Sequence, residues 1–229
     1  MTRLLTGDFA EGWKIWETRP SMDARFSGLP LWDGAPVARL LLHEDQGLGD
    51  AIQCARYILP IRRHAQRVTL QVTKVLHRLF AASFPDLEIL TLDDPVPQAD
   101  ARMRLLSLPA FFKADATNIP APMPYMFACE EWRKLWQARL ADVPKPRVGV
   151  VWGGNPDHLN DRQRSLPVDL ANPLLQAGRG HMVLLQKGAQ RAGADLAATF
   201  AFDADPVLND FADTAGALAE LDLLITVDT

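Results

Sequence analysis

Apolar and polar positions along the chain form two series of alternating strand-like and helix-like runs, separated by a Pro-rich stretch. The strand-like runs of the first series are "ARLLLH" (38–43), "RVTLQV" (67–72), "LEILTL" (87–92) and the more broken "ARMRLL" (101–106). Between them, helical periodicity covers about 50–64 and 74–83. After "NIPAPMPYMFA" comes a predicted helix, "EEWRKLWQARLA", and the alternation restarts at "RVGVVW" (147–152). Helix "PVDLANPLLQAG", strand "HMVLLQ", helix "AQRAGADLAATF", helix "DFADTAGALAEL" and strand "DLLITV" follow. Strands and helices alternating at these lengths predict parallel sheets with helices on their faces. The restart predicts two Rossmann-like units, over 37–144 and 145–229.

Residues 1–36 have a different pattern. In "LLTGDFAEGWKIWETR", Phe9, Trp13 and Trp16 recur at i, i+4 and i+7, which puts three aromatics on one helical face. Two readings stand: the closing half of a tetratricopeptide-type repeat, or an aromatic helix docked on the domain that follows. The stretch "PSMDARFSGLPLWDGAPV" reads as an ordered linker.

Composition narrows the function classes. The 229 residues are 48% hydrophobic and 23% charged, ordinary for a globular protein. A net charge of -4 and scattered Lys and Arg give no basic field for nucleic acid. No apolar run approaches the roughly 20 residues of a membrane span, and "MTRLLTGDFAEGW" lacks a signal-peptide core. Two cysteines, Cys54 and Cys129, suggest neither a disulfide framework nor a metal site, so a reduced, cytoplasmic location is expected.

Three strand ends carry candidate chemistry. In "LLLHEDQGLGDAIQCARY" a strand passes into Gln46, Gly47, Gly49 and Asp50. Glycines at a strand end let backbone N–H groups approach an anion. Ile52 stands where a dinucleotide fingerprint places its third glycine. The acid that this reading or a methyltransferase needs after the second strand is also absent from "LQVTK". A tight turn with Asp50 as helix cap remains the plain alternative. In "VVWGGNPDHLNDRQRSLP" a second strand leads into Gly153, Gly154 and Asn155, and then Arg162 and Arg164, whose forked donors suit phosphate oxygens. A solvated loop with surface arginines is its plain alternative. Gln186 and Lys187 end a third strand, and Asp213, Thr214, Asp228 and Thr229 lie in the last segments. Asp203-Ala204-Asp205 spells a literal Asp-x-Asp, read here as a turn near a strand end and not as a metal site.

Taken in order, "LLHEDQGLGDAIQCARY", "RVGVVWGGNPDHLNDRQRSLP", "LLQKG" and "DFADTAGALAELDLLITVDT" resemble the glycosyltransferase domain of bacterial tetratricopeptide-repeat proteins. That group is similar to the heptosyltransferases of glycosyltransferase family 9 and, more distantly, to the O-GlcNAc transferase-like family 41. "GDFAEGWKIWETR" and "P.WDG" resemble the end of the repeat array and its linker. The resemblance covers essentially the whole chain. It implies an α/β, GT-B-like fold of two doubly wound units facing each other, with a short helical remnant in front. It implies transfer of a sugar from a nucleoside-diphosphate sugar to an acceptor hydroxyl on a protein or glycan, without a catalytic metal or a cofactor.

Position by position, the resemblance makes Asp50 the general base and Gln46, Gly47 and Gly49 the acceptor-side loop. Gly153, Gly154, Asn155, Arg164, Gln186, Lys187, Asp228 and Thr229 become the donor side, with Lys187 and backbone N–H groups near Gly153 adding positive charge. The family's Asp-Thr-x-x-x-His segment breaks off at Thr229. That implies an incomplete second unit, an inactive shortened chain and self-association through that unit. Two alternatives stay open: a non-catalytic docking module derived from a glycosyltransferase, and an S-adenosylmethionine-dependent methyltransferase.

Overall fold

The computed structural model describes residues 2–20, 24–120, 123–178, 180–192, 194 and 200–228. The chain divides into two compact units, between Phe127 and Ala128.

The first unit opens with helices α1 (Thr2–Leu5) and α2 (Phe9–Glu17), joined by a turn in which Gly7 takes φ +81°. Asp8 caps α2, its carboxylate accepting from Glu11 N. Strand β1 (Val37–His43), helix α3 (Leu48–Cys54), short helix α4 (Ile58–Ile61), strand β2 (Ala65–Val72), helix α5 (Lys74–Ser83), strands β3 (Glu88–Thr91) and β4 (Ala101–Arg104) and helix α6 (Leu108–Phe111) follow. All strand pairs are parallel, in the order β3-β2-β1-β4. Leu40, Leu41 and Leu42 of β1 are all buried, as a central strand covered on both faces requires.

The single helix expected over 50–64 is broken by a 3₁₀ turn at Ala55–Tyr57. Pro60 explains the break: it lacks an N–H and its ring crowds the carbonyl four residues back. The run expected as a strand to residue 106 leaves the sheet after Arg104, where Leu105–Ser107 form a 3₁₀ turn. Around Pro30–Trp32 the linker runs along the sheet edge. Trp32 N donates to Arg102 O (2.8 Å) and Arg102 N to Pro30 O (2.9 Å), a short bridge beside β4.

The second unit opens with helix α7 (Glu130–Arg139), ahead of the restart at residue 147. Strand β5 (Val148–Val151), short helix α8 (Asp161–Arg164), helix α9 (Val168–Ala177), strands β6 (Met182–Leu184) and β7 (Phe202–Asp203), helix α10 (Phe211–Ala219) and strand β8 (Leu223–Thr226) complete it. Its sheet is also parallel, in the order β7-β6-β5-β8. One face is covered by Trp136 of α7 and Leu140 just beyond it, with Leu208 and Ala217; the other by Ala171 and Leu175 of α9 with Trp152. A Cβ on Gly216 would stand 2.5 Å from Trp136 Cδ1, so glycine is what lets α7 and α10 approach. Most of the helix expected at 189–200 lies outside the described residues; Gly188–Arg191 begin there as a 3₁₀ turn.

Both sheets share one logic. From β1 the chain steps outward through β2 and β3, then returns to β4 on the opposite side; β5, β6, β7 and β8 repeat the move. Each sheet therefore has a switch point, at β1/β4 and at β5/β8, where open α/β sheets bind ligands beyond the strands' carboxyl ends.

Candidate functional site

At the first switch point, the buried acid Asp45 is tied to the N-terminal segment. Its carboxylate accepts from Arg19 Nη2 (2.9 Å) and Nε (3.3 Å), with Arg104 Nε at 3.9 Å. Glu17 binds Arg19 Nη1 (3.0 Å), Arg104 Nη2 (3.1 Å) and the Ser107 hydroxyl (2.9 Å). Two indoles help seat α2: Trp13 Nε1 donates to Ala114 O (2.6 Å) and Trp16 Nε1 to Leu106 O (2.8 Å). Helix α2 is thus docked on its own unit. Glu44 is also committed to structure, accepting from Thr73 N and Oγ1 ahead of α5.

Asp50 stands differently. Sequence allows it to be read as the helix cap, but helix α3 starts earlier, with Gly47 in extended backbone as the N-cap and Asp50 at the third helical position. Gly47 N donates to Asp50 Oδ2 at 3.2 Å. The side chain is exposed, and among the described residues its Oδ1 makes no hydrogen bond. Gln46 and Gly49 are exposed beside it. One oxygen closes the turn and the other stays available to accept a proton.

At the second switch point, the loop after β5 is held by side chains. Gln186, buried at the end of β6, accepts from Trp152 N (3.0 Å) and Gly153 N (2.8 Å) and donates to Gly153 O and Lys187 O (both 3.0 Å). An amide side chain offers two acceptor and two donor positions, and all four are used. Gly154 N donates to Ser165 Oγ (2.9 Å), and that hydroxyl donates to Asp161. The expectation of free backbone N–H groups around Gly153 is therefore corrected: Gln186 and Ser165 take them. A Cβ on Gly153 would meet Gln190 Cγ at 2.8 Å, which explains glycine there. Asn155 closes a turn on Asp157 N (3.0 Å).

Of the two cations expected on the donor side, Lys187 is fully engaged. Its ammonium donates to Leu208 O (2.7 Å) and Asp205 O (3.2 Å) and pairs with the Asp205 carboxylate (3.1 Å). Arg164 donates from Nε to Asp228 O (2.8 Å), and among the described residues its Nη groups make no hydrogen bond. The Asp228 side chain is exposed, and Thr229 lies outside the described residues. Asp213 is buried and accepts from Asn209 N and Nδ2 at the start of α10, so it closes a turn.

The Asp-x-Asp carboxylates are bound to cations. Arg191 holds Asp203 through two hydrogen bonds (2.9 and 2.6 Å) and lies 3.5 Å from Asp205. The guanidinium holds the Asp203 carboxyl below the usual carboxylate range.

These two sheets, each with its polar loops at a β1/β4-type switch point, match a known architecture. The fold is of the GT-B glycosyltransferase type. The chain is similar to the crystal structure of a glycosyl transferase family 9 protein from Veillonella parvula DSM 2008, with a TM-score of 0.55 and 11% sequence identity over 82% of this chain and 75% of that one. No protein-family model matches the chain, and no curated protein matches it in sequence. No helix among the described residues is long and apolar enough to cross a membrane.

Sequence reading missed the residues that fix the loop after β5. Ser165, Asp161 and Gln190 form its second tier, with Gln190 Nε2 donating to Asp161 (3.0 Å) and Trp152 Nε1 to Gln190 O (3.0 Å). The adjacency of Arg164 and Ser165 hid two different jobs, and no spacing rule separates them. It also missed Gln53, one turn along α3 from Asp50 and exposed.

Proposed function

We propose that the protein transfers a sugar from a nucleoside-diphosphate sugar to an acceptor hydroxyl. The observation that carries the reading is a division of chemistry. Among the described residues, Asp50 at the first switch point keeps one carboxylate oxygen without a hydrogen bond, and Arg164 at the second keeps its Nη groups so while its Nε lies 3.8 Å from the Asp228 carboxylate. The GT-B-type fold supports it.

In this reading the acceptor oxygen forms a bond to the anomeric carbon while the bond from that carbon to the donor phosphate oxygen breaks. The electron pair leaves with the nucleoside diphosphate, and the acceptor proton passes to Asp50. Attack opposite the leaving group inverts the anomeric carbon. Arg164 offers its paired Nη donors to the diphosphate as negative charge develops there. Asn155 and Asp228 border that place. Gln186 acts through the loop it holds, and Gly153 by letting the loop pack on Gln190. Helices α1 and α2 are taken as the end of a tetratricopeptide-type array. Incubation with UDP-, ADP-, GDP- and CDP-sugars and mixed alcohols, followed by mass spectrometry, tests the reading. One donor should yield a glycoside and free nucleoside diphosphate; no product and no donor hydrolysis with any of them would contradict it.

A second reading, a docking module without catalysis, is favoured by one observation: Lys187 and the amides of Trp152, Gly153 and Gly154 are spent internally. Nucleotide binding separates the two, since a docking module needs none. A methyltransferase has no such support, because β2 runs into Thr73 and Lys74 without an acid to hold ribose hydroxyls.

A further inference from the structure

The first unit contains a cavity of about 320 Å³ between α2 and α3. Its volume is that of a small-molecule site. Phe9, Trp13, Trp16, Tyr57 and Leu106 line it, and Asp50, Gln53, Arg56 and Asp115 are its polar members.

Two features decide what such a cavity takes. Both indole N–H groups are already spent on the carbonyls of Ala114 and Leu106. The tryptophans therefore present carbon surface, and hydroxyls placed against them would lose their hydrogen bonds to water without replacement. The polar side is the reverse: Asp50 Oδ1, the Gln53 amide and Arg56 Nε make no hydrogen bond among the described residues. Asp50 and Gln53 lie at i and i+3, adjacent on one helical face. An apolar body with a hydroxyl at one end satisfies both walls.

We infer that this cavity binds the aromatic body of an acceptor alcohol and directs its hydroxyl to Asp50. Aromatic rings suit the walls because ring pairs gain edge and offset contacts beyond simple burial. Naming the ligand as acceptor rests on the transferase reading; the binding itself does not. The pocket is lined by α1, α2 and α3 together with residues from 106–119, so α2 becomes part of the acceptor site.

The test is binding of 2-naphthol, without any sugar donor, followed by calorimetry and by quenching of tryptophan fluorescence. Saturable binding is expected, with none for glucose. Phe9→Ala should weaken it about tenfold, the equivalent of one lost aromatic contact. Because Phe9→Ala also loosens α2, Ile119→Asp on another part of the wall, at an exposed position, is the second variant and should weaken binding as well. Asp50→Asn should weaken 2-naphthol about fivefold, as a charged acceptor becomes a neutral one, and leave naphthalene unchanged. No binding of 2-naphthol, binding of glucose instead, or affinity indifferent to Phe9→Ala and Ile119→Asp would overturn the inference. Binding without sugar transfer from any donor would leave the pocket standing and remove the transferase reading. Transfer to other alcohols without 2-naphthol binding would do the opposite.

Discussion

Gln186 grips the backbone of Gly153 on both sides, accepting from its N–H at 2.8 Å and donating to its carbonyl at 3.0 Å. Because Gln186 and Trp152 are also buried, the grip has no water to replace it. Gln186→Leu keeps the volume and removes every hydrogen bond. Two buried N–H groups are left unpaired, each costing about 1–3 kcal/mol. The variant should unfold at clearly lower urea concentration, and any nucleotide binding should weaken with it. An unchanged midpoint would mean that the loop is not held this way.

Asp50→Asn separates two roles of one side chain. Asparagine keeps an oxygen for Gly47 N, so helix α3 should stay capped and the melting temperature nearly unchanged. Proton acceptance is lost, and kcat should fall about 100-fold or more, the scale of a missing general base. Donor affinity should hold. Activity within a few-fold of the parent would reduce Asp50 to its turn-closing role.

Acid should act on the second unit through Asp203. Its folded pKa is depressed by the Arg191 hydrogen bonds. The stabilisation is therefore fully present above the unfolded value, near 4, and is lost as pH falls through the lower folded value. Unfolding midpoints measured down the acid limb should drop below about pH 4, and Asp203→Asn should flatten that drop. An unchanged acid limb in the variant would contradict the pairing.

The two cysteines should react unequally. Burial pushes the Cys54 thiol up to about 12, so almost no thiolate exists at pH 8. Cys129 is half-buried and reachable. A thiol-specific chromogenic reagent should titrate one group in the native protein and two in denaturant. Two fast groups in the native protein would show that the Cys54 wall opens readily.

The sheets were legible from the sequence because buried parallel strands are short, continuous apolar runs. "ARLLLH" and "RVTLQV" map onto β1 and β2, and helix α5 matches its predicted span. Strand β7 was not, since the two residues Phe202 and Asp203 carry no periodicity. The candidate site was legible only as positions. Glycines and charges at strand ends mark a switch point, but nothing in "LLQKG" says that Gln186 and Lys187 are consumed by neighbours. Those partners, Gly153, Asp205 and Leu208, lie 18 to 33 residues away in sequence and meet only in the fold. The pairing of Arg19 with Asp45 is invisible in the sequence for the same reason: 26 residues separate them and only the fold brings them together.

The most direct measurement is a calorimetric titration of UDP and ADP into the wild-type protein and Arg164→Ala. At least one nucleoside diphosphate should bind the wild type, and the variant should bind it at least about tenfold more weakly, the worth of one lost charge-assisted contact. Failure of both nucleotides to bind, or an affinity that Arg164→Ala leaves untouched, would contradict a donor site at the second switch point.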